Sequence, residues 1–599
     1  MKAMTGRGGA DFFSFARSGT AHANCTTSST MISLQANRLL SALLALSALG
    51  CQGDNQGRQT ADTSNAAETA GGTMVMTVGA DADFLLPPFV GTVQGNQIAD
   101  IVYERLAEPS PALNTVGDNG FTGELAEKWT WSPDSMSIAF LVHPRARWHD
   151  GRRVTARDVA FTYSLTKDPA TASADAPLLS QMDSVTVRDS LTAVFWYKKR
   201  YPEQFFDAAY QMRILPEHIL SGVKRSELRT SELIRKPVGS GRFRFVRWVP
   251  GSLVELIADT AHHRGRPKLD RLIWTISPDY NASAAKLFAG EADYIEYLTG
   301  DKIAELAKYP RLRTLSSPSL DHAYLHFNLR DQKNSARPHP IFGDVGVRRA
   351  LTMAVDRKSL VQNIFDSLGL VSKGPMVRSQ GLADTTITPI AYDPDGARRL
   401  FDSLGWKDTN NDGVREKNGK LLSFTIGAPS SSSNRVRMAV LLQDMFKQVG
   451  ARVELQNNEM TTWMQGMQSG KFDAAMNASH LDPSPASIRQ AWSAESARNP
   501  EGRNFGRYSN PAFDALIDSA SAQMNPVNAR RFYRQAHEMM MKDAPAVWLY
   551  ELVSVAGIDR RIQPVGIRAD AWWAGIADWS IRADQRIARD SIGLRPVAR

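Results

Sequence analysis

The chain has 599 residues, a formal charge of +9, and 43% hydrophobic against 22% charged residues. That length supports more than one core, and that balance excludes wholesale disorder and a polytopic membrane protein. The positive charge is spread along the chain without dense Lys/Arg runs, so nucleic acid is not an expected partner; two cysteines, Cys25 and Cys51, are too few for a disulfide framework or a multi-cysteine zinc site.

In chain order, the first legible segment is an address. Residues 31–38 form a short start ending in Arg38, residues 39–49 are apolar, and Gly50-Cys51 follows. A basic start, about ten apolar residues and a small residue at the break predict a secretory signal, and the run is shorter than the roughly 20 residues that span a bilayer. Ser47-Ala48-Leu49-Gly50-Cys51 resembles the lipobox of bacterial lipoproteins, which implies acylation of Cys51 as the mature N-terminus. Residues 51–73 carry Gly, Asn, Gln, Ser, Thr, Asp and Ala with almost no large apolar side chain, the composition of a flexible tether. Met31 restarts a complete signal, so residues 1–30 are expected to be a mis-annotated upstream extension.

The mature chain mixes strand and helix patterns. Ile138-Ala139-Phe140-Leu141-Val142 predicts a buried strand, and the Asp-Gly of Trp148-His149-Asp150-Gly151 predicts a turn. Thr155 and Asp158 have capping-box spacing, with a helix continuing through Val159 and Tyr163. Further on, Val347, Leu351, Ala354 and Val355, then Leu360, Val361 and Ile364, recur at helical spacing. Strands and helices interleaved over hundreds of residues predict an α/β class. No repeat of fixed period is visible.

The following segments occur in a telling order: Gly123-Glu124-Leu125-Ala126-Glu127-Lys128-Trp129, Pro133-Asp134, Trp148-His149-Asp150-Gly151, Pro237-Val238-Gly239-Ser240-Gly241-Arg242-Phe243, Pro267-Lys268-Leu269-Asp270 and Gly290-Glu291-Ala292-Asp293. Phe327-Asn328, Val347-Arg348-Arg349-Ala350-Leu351, Val355-Asp356-Arg357, Tyr392-Asp393-Pro394, Gly405-Trp406 and Tyr508-Ser509-Asn510-Pro511 continue it. Together they resemble family 5 of the bacterial extracellular solute-binding proteins, the peptide- and nickel-binding group, over residues 74–560.

The resemblance implies an α/β, two-lobed periplasmic-binding-protein fold, type II in its large three-domain variant, with a hinge and a ligand cleft between the lobes. Its expected division is lobe I over 74–325 with an accessory subdomain about 113–209, lobe II over 326–552, and a return to lobe I with a C-terminal tail over 553–599. It implies a non-enzymatic, monomeric receptor without cofactor, exported to the periplasmic side or cell surface and anchored to the membrane by lipid. Such a receptor captures a peptide or similar small solute by hinge closure and delivers it to the permease and ATPase subunits of an ABC importer. A signalling receptor on the same fold and a secreted hydrolase are the alternatives.

In peptide-binding relatives, the stretch before an Asp-Pro or Glu-Pro pair carries Gly-Trp and then an acid that grips the peptide's α-ammonium. Here it reads Ala478-Ser479-His480-Leu481-Asp482-Pro483, without Gly-Trp and with Ser479 at the acid's place. Ser479, His480 and Asp482 are expected to line the cleft, or Asp482-Pro483 only shapes a turn. Trp492 adds an aromatic wall or, the better reading, fills a core. Tyr324, His326 and Asn328 lie where the chain crosses between lobes, to face the cleft or to structure the hinge.

Other signals are set aside. Asp408-Thr409-Asn410-Asn411-Asp412-Gly413 imitates half of a calcium loop, but the twelfth position is Gly419 and not the closing Glu; a hairpin turn before a strand at 421–426 is expected. Arg242-Phe243-Arg244-Phe245 reads as a half-buried strand. His262-His263 reads as a surface pair, and no His-Glu-x-x-His motif points to a metal. No nucleophile elbow, Walker A loop or dinucleotide fingerprint is present.

Overall fold

The computed structural model describes residues 70–499 and 502–591. The expected export signal, Cys25, Cys51 and nearly all of the expected tether lie outside the described residues. The first strand, Thr73–Val78, begins on the residue expected to end the tether.

One mixed sheet organises the described chain. Its strands run in the order Arg452–Asn458, Ser423–Pro429, Ala474–His480, Leu312–Phe327, Ala546–Asp559, Tyr294–Ile295, Thr73–Val78, Arg271–Ile276, Leu253–Ala258 and Phe243–Val249. Gly369–Val371 pairs off this path with Ala546–Asp559. The class is α/β, as the interleaved patterns predict.

Two hydrophobic cores hang on this sheet, and the long strands Leu312–Phe327 and Ala546–Asp559 serve both. On the outgoing strand Leu315 packs on the first core, while Ala323, Leu325 and Phe327 belong to the second. On the returning strand Val547, Leu549 and Val555 belong to the second, and Ala556 and Ile558 to the first. Between the halves the pairing slips: Pro318 faces Val553, but His322 already faces Glu551. Proline has no N–H to give a ladder, and a bulge twists the strand that carries it. The two strands pass from one core to the other across this irregularity.

The first half carries a separate four-stranded antiparallel sheet, in the order Ala126–Trp131, Ser137–Val142, Thr192–Tyr197, Met182–Val187. Aromatic side chains fill it: Trp129 and Phe205 lie 4.7 Å apart, and Phe140 and Phe195 5.4 Å apart. The helix Ala156–Lys167 starts on the predicted capping box, in which the Thr155 N–H donates to Asp158 Oδ2 at 2.8 Å. In the second half, Val345–Met353 and Arg357–Phe365 turn Val347, Leu351, Leu360 and Val361 inward at the expected spacing.

A buried ionic knot closes the first half. Arg561 Nη1 donates to Asp590 Oδ2 at 2.7 Å, its Nε to Asp293 Oδ1 at 3.0 Å, and its Nη2 to the Thr73 carbonyl at 2.9 Å. Asp293 and Asp590 return hydrogen bonds to the first strand, accepting from Val75 N–H at 2.8 Å and Thr73 N–H at 2.9 Å. The C-terminal segment is thereby fastened to the strand that opens the fold.

The discounted signals resolve locally. Asp408 accepts the Gly413 N–H at 2.9 Å and Asp412 that of Val414 at 2.8 Å, so the calcium-like run uses its acids to fold its own turn. A hairpin of Glu416–Lys417 with Lys420–Leu421 follows, then the strand Ser423–Pro429. Phe243–Val249 is the half-buried edge strand expected of the Arg-Phe alternation.

Candidate ligand-binding site

The antiparallel pairing of Ala474–His480 with Leu312–Phe327 builds the site. Its register sets Asp321 opposite His480, His322 opposite Ser479, and Tyr324 opposite Asn477. His480 and Asp321 meet directly, Nδ1 to Oδ1 at 3.0 Å, with side chains 58% and 40% exposed. Their hydrogen bond raises the His480 imidazole above its ordinary pKa. Burial pushes Asp321 up, but its bonds from His480 and Ser319 bring it below the usual carboxylate value. Asp321 was not legible as a site residue.

Asp482 follows on an open turn. Its Oδ1 accepts the Ser484 N–H at 2.8 Å, so the carboxylate shapes the Asp482-Pro483 turn while remaining exposed to water. Partial desolvation by neighbouring atoms, with the charge of Asp570, raises its pKa. Asp570 comes from the returning C-terminal segment, where Arg568 Nε holds it at 2.9 Å and the Tyr210 hydroxyl donates to it at 2.7 Å. Residues from three distant stretches thus lie within electrostatic reach of one another, and Ser479 is half-buried beside them. The arrangement is suited to a solute that carries positive charge: carboxylates predominate, and His480 already has its carboxylate.

The other expected residues lie deeper. Tyr324 is buried, accepts Asn477 Nδ2 at 2.9 Å, and sits 5.3 Å from the rings of both Trp492 and Trp548. Trp492, 3% exposed and 5.1 Å from Trp548, fills this aromatic core. His326 is buried beside it, and burial depresses its imidazole to about 3. Asn328 bridges the Gly470 and Phe472 carbonyls through Nδ2 and takes the Arg330 N–H on Oδ1, which fixes the chain as it leaves the crossing strand. The structure therefore leaves His480 and Asp482 exposed and Ser479 half-buried at one end of the paired strands, and puts Tyr324, His326, Trp492 and Asn328 in the interior.

The histidine pair needs correcting. His262 and His263 are not on the surface; their side chains are 2% and 1% exposed, against Glu104. Glu104 Oε1 lies 3.3 Å from His262 Nε2 and 3.6 Å from His263 Nε2, a spacing that superficially suits a metal. The hydrogen bonds decide against it: His262 Nε2 contacts the Ser240 carbonyl at 3.0 Å while its Nδ1 accepts the Arg264 N–H at 3.1 Å. The proton is thus on Nε2, where a metal would need a lone pair. Burial depresses both imidazoles to about 4, so they are neutral and give their Nε2 protons to the Ser240 and Glu124 carbonyls beside a buried carboxyl group. A cavity of about 290 Å³ beside them, within the first half, is lined by charges already in pairs, Asp100 with Arg105 and Glu124 with Arg264.

Residues 120–499 match the family model described as bacterial extracellular solute-binding proteins, family 5 Middle. The chain is 27% identical to the oligopeptide-binding protein AppA of Bacillus subtilis over 521 residues, 86% of this chain and 92% of that one. It is 24% identical to heme-binding protein A of Haemophilus influenzae over 554 residues, 88% and 96% of the two chains. Among solved structures, B. subtilis AppA in complex with a nonapeptide superposes with a TM-score of 0.66 at 26% identity, covering 86% of this chain and 99% of that one. NikZ from Campylobacter jejuni in complex with Ni(L-His) gives 0.67 at 25% identity, covering 85% and 99%.

Proposed function

The chain belongs to family 5 of the bacterial extracellular solute-binding proteins, and from that premise we propose that it is a lipid-anchored receptor that shuts two lobes on a positively charged peptide or similar small solute and hands it to an importer's permease. The fold is the two-lobed type II fold of periplasmic binding proteins, and the role is substrate binding for an ABC importer, without catalysis.

The observation that carries the proposal is the pairing of Asp321 with His480 across the crossing strands, with the exposed Asp482 within electrostatic reach. In this reading lobe I spans 74–325, lobe II 326–552, and residues 553–599 return to lobe I. Ser479, His480 and Asp482 contact the solute and Asp321 orients His480. Tyr324, His326 and Trp492 support the wall from behind, and Asn328 sets the hinge. AppA's nonapeptide and NikZ's Ni(L-His) mark the breadth of ligands among similar proteins. A desolvated ammonium needs an opposite charge or several good acceptors, and Asp482 supplies that need from a position shifted relative to Ser479. Only the closed form makes both sets of contacts, so ligand shifts the open–closed balance. The residues around Cys51 support periplasmic-side or cell-surface anchoring: several acyl chains at roughly 0.8 kcal/mol per buried methylene give lasting attachment.

The test is a thermal-shift screen of the purified protein with di-, tri- and longer peptides, basic and acidic. At a hundredfold excess over Kd a true ligand adds about 2.7 kcal/mol of stability. Basic or neutral peptides are expected to raise the melting temperature and acidic ones to do so less. A screen in which no peptide moves it removes peptides from the proposal.

A further inference from the structure

Glu203 precedes the helix Gln204–Ala209 beside the four-stranded sheet of the first half. Its Oε1 accepts a hydrogen bond from Thr115 Oγ1 at 2.6 Å, and its Oε2 accepts one from Ser484 Oγ at 2.9 Å. Ser484 belongs to the opposite half, where its N–H donates to Asp482. One serine therefore joins two carboxylates carried by different lobes. Apolar contact accompanies it: Val116 packs in one cluster with Tyr324, Met376 and Leu382, and a Cβ on Gly381 would come within 2.6 Å of the Ala112 and Leu113 carbonyl oxygens.

The charges around this contact are of one sign. Asp207, one turn along, accepts the Tyr201 hydroxyl at 2.7 Å and feels Glu203 and Asp482. Tyr197 borders Asp207, and Tyr533 faces Glu203 from the helix Pro526–Asp543 with Arg489 acting on that tyrosine. Asp482 in turn faces Asp570 and His480. Among the described residues, no lysine or arginine forms an ion pair with Glu203, Asp207 or Asp482.

We propose that Glu203 is a proton-operated clasp between the lobes: closure brings the charge of Asp482 up to Glu203 and Asp207, and proton uptake by Glu203 and Asp207 holds the lobes shut through the Glu203–Ser484 hydrogen bond. Burial pushes Glu203 up, and burial followed by the charges of Glu203 and Asp482 pushes Asp207 up to about 8. Separated lobes return these groups to water and toward ordinary carboxylate values. The closed form therefore binds more protons, is favoured in acid, and loses that advantage as pH rises from the ordinary carboxylate range towards 8. A protonated Glu203 keeps the clasp by donating to Ser484 Oγ.

The inference rests on the hinge-closing reading above, and its test uses ligand-free protein so that a failure here leaves solute capture standing. Small-angle scattering of the wild type between pH 5 and 9 reads the open fraction. Each proton taken up on closing changes the closed-to-open ratio by up to about tenfold per pH unit, so the radius of gyration is expected to grow with pH. Glu203→Gln keeps the hydrogen bond without the titration and is expected to flatten that growth. Ser484→Ala removes the hydrogen bond without removing a charge and is expected to shift the protein towards open throughout. A wild-type radius that is constant or shrinks with rising pH overturns the clasp, as does a Glu203→Gln profile that tracks the wild type.

Discussion

Replacing Arg561 with methionine tests how the chain's return is fastened to the first lobe. Arg561 is 6% exposed on its side chain, Asp293 0% and Asp590 3%. Methionine fills most of the volume but removes the cation. Asp293 keeps Arg589 as a partner, while Asp590 is left with main-chain donors only, from Thr73 and Ile587. Removing one partner of a buried ion pair costs about 3–5 kcal/mol. For a lobe of this size, at roughly 2–4 °C per kcal/mol, that is on the order of 10 °C in melting temperature. Differential scanning calorimetry at neutral pH reads the loss. Adding Asp590→Asn removes the stranded charge while its amide oxygen can still take the Thr73 N–H, so the double variant is expected to be more stable than Arg561→Met alone. A single-variant loss under about 1 kcal/mol, or strictly additive losses, would show that the knot is solvated and refute the reasoning.

Trp548→Ala is expected to cost about 3–5 kcal/mol in denaturant unfolding, because the ring is 2% exposed and packs on Tyr324 and Trp492. Gly374→Ala places a Cβ 1.7 Å from His537 Nε2 and is expected to lose about 1–3 kcal/mol by overpacking, read by melting temperature. Asp321→Asn is expected to lower the His480 pKa, followed by NMR of the imidazole protons. The Asp321–His480 pair stabilises the fold fully between the ordinary values of Asp321 and His480; its contribution fades as pH rises through the raised pKa of His480 or falls through the lowered pKa of Asp321. Exposure keeps that contribution within about 1 kcal/mol. Cys51→Ser is expected to move the protein from the membrane fraction to the soluble one.

Local chemistry was legible where it acts over a few residues. The Thr155–Asp158 capping box, the apolar spacing of Val347 to Val361, and the turn chemistry of Asp408 and Asp412 are satisfied within their own segments. Long-range placement was not. The alternation Tyr324, His326, Asn328 reads as a polar strand face, but its register against Ala474–His480 and Ala546–Asp559 buries it, with Tyr324 on Trp492 and Trp548. Asp321 gains its partner only when that pairing brings His480 across from 159 residues away. His262-His263, in a run rich in Arg and Gly, has the look of a solvated loop; docking on Glu104 buries it. Glu203 sits in a polar stretch whose meeting with Ser484 depends on two lobes coming together, which no local pattern encodes.

Native mass spectrometry of the protein mixed with the peptide that most raises its melting temperature, followed by release and weighing of the guest, bears most directly on capture without chemistry. A one-to-one complex is expected, with the peptide recovered at its original mass. A guest released cleaved or otherwise altered, or no complex with any peptide, would contradict it.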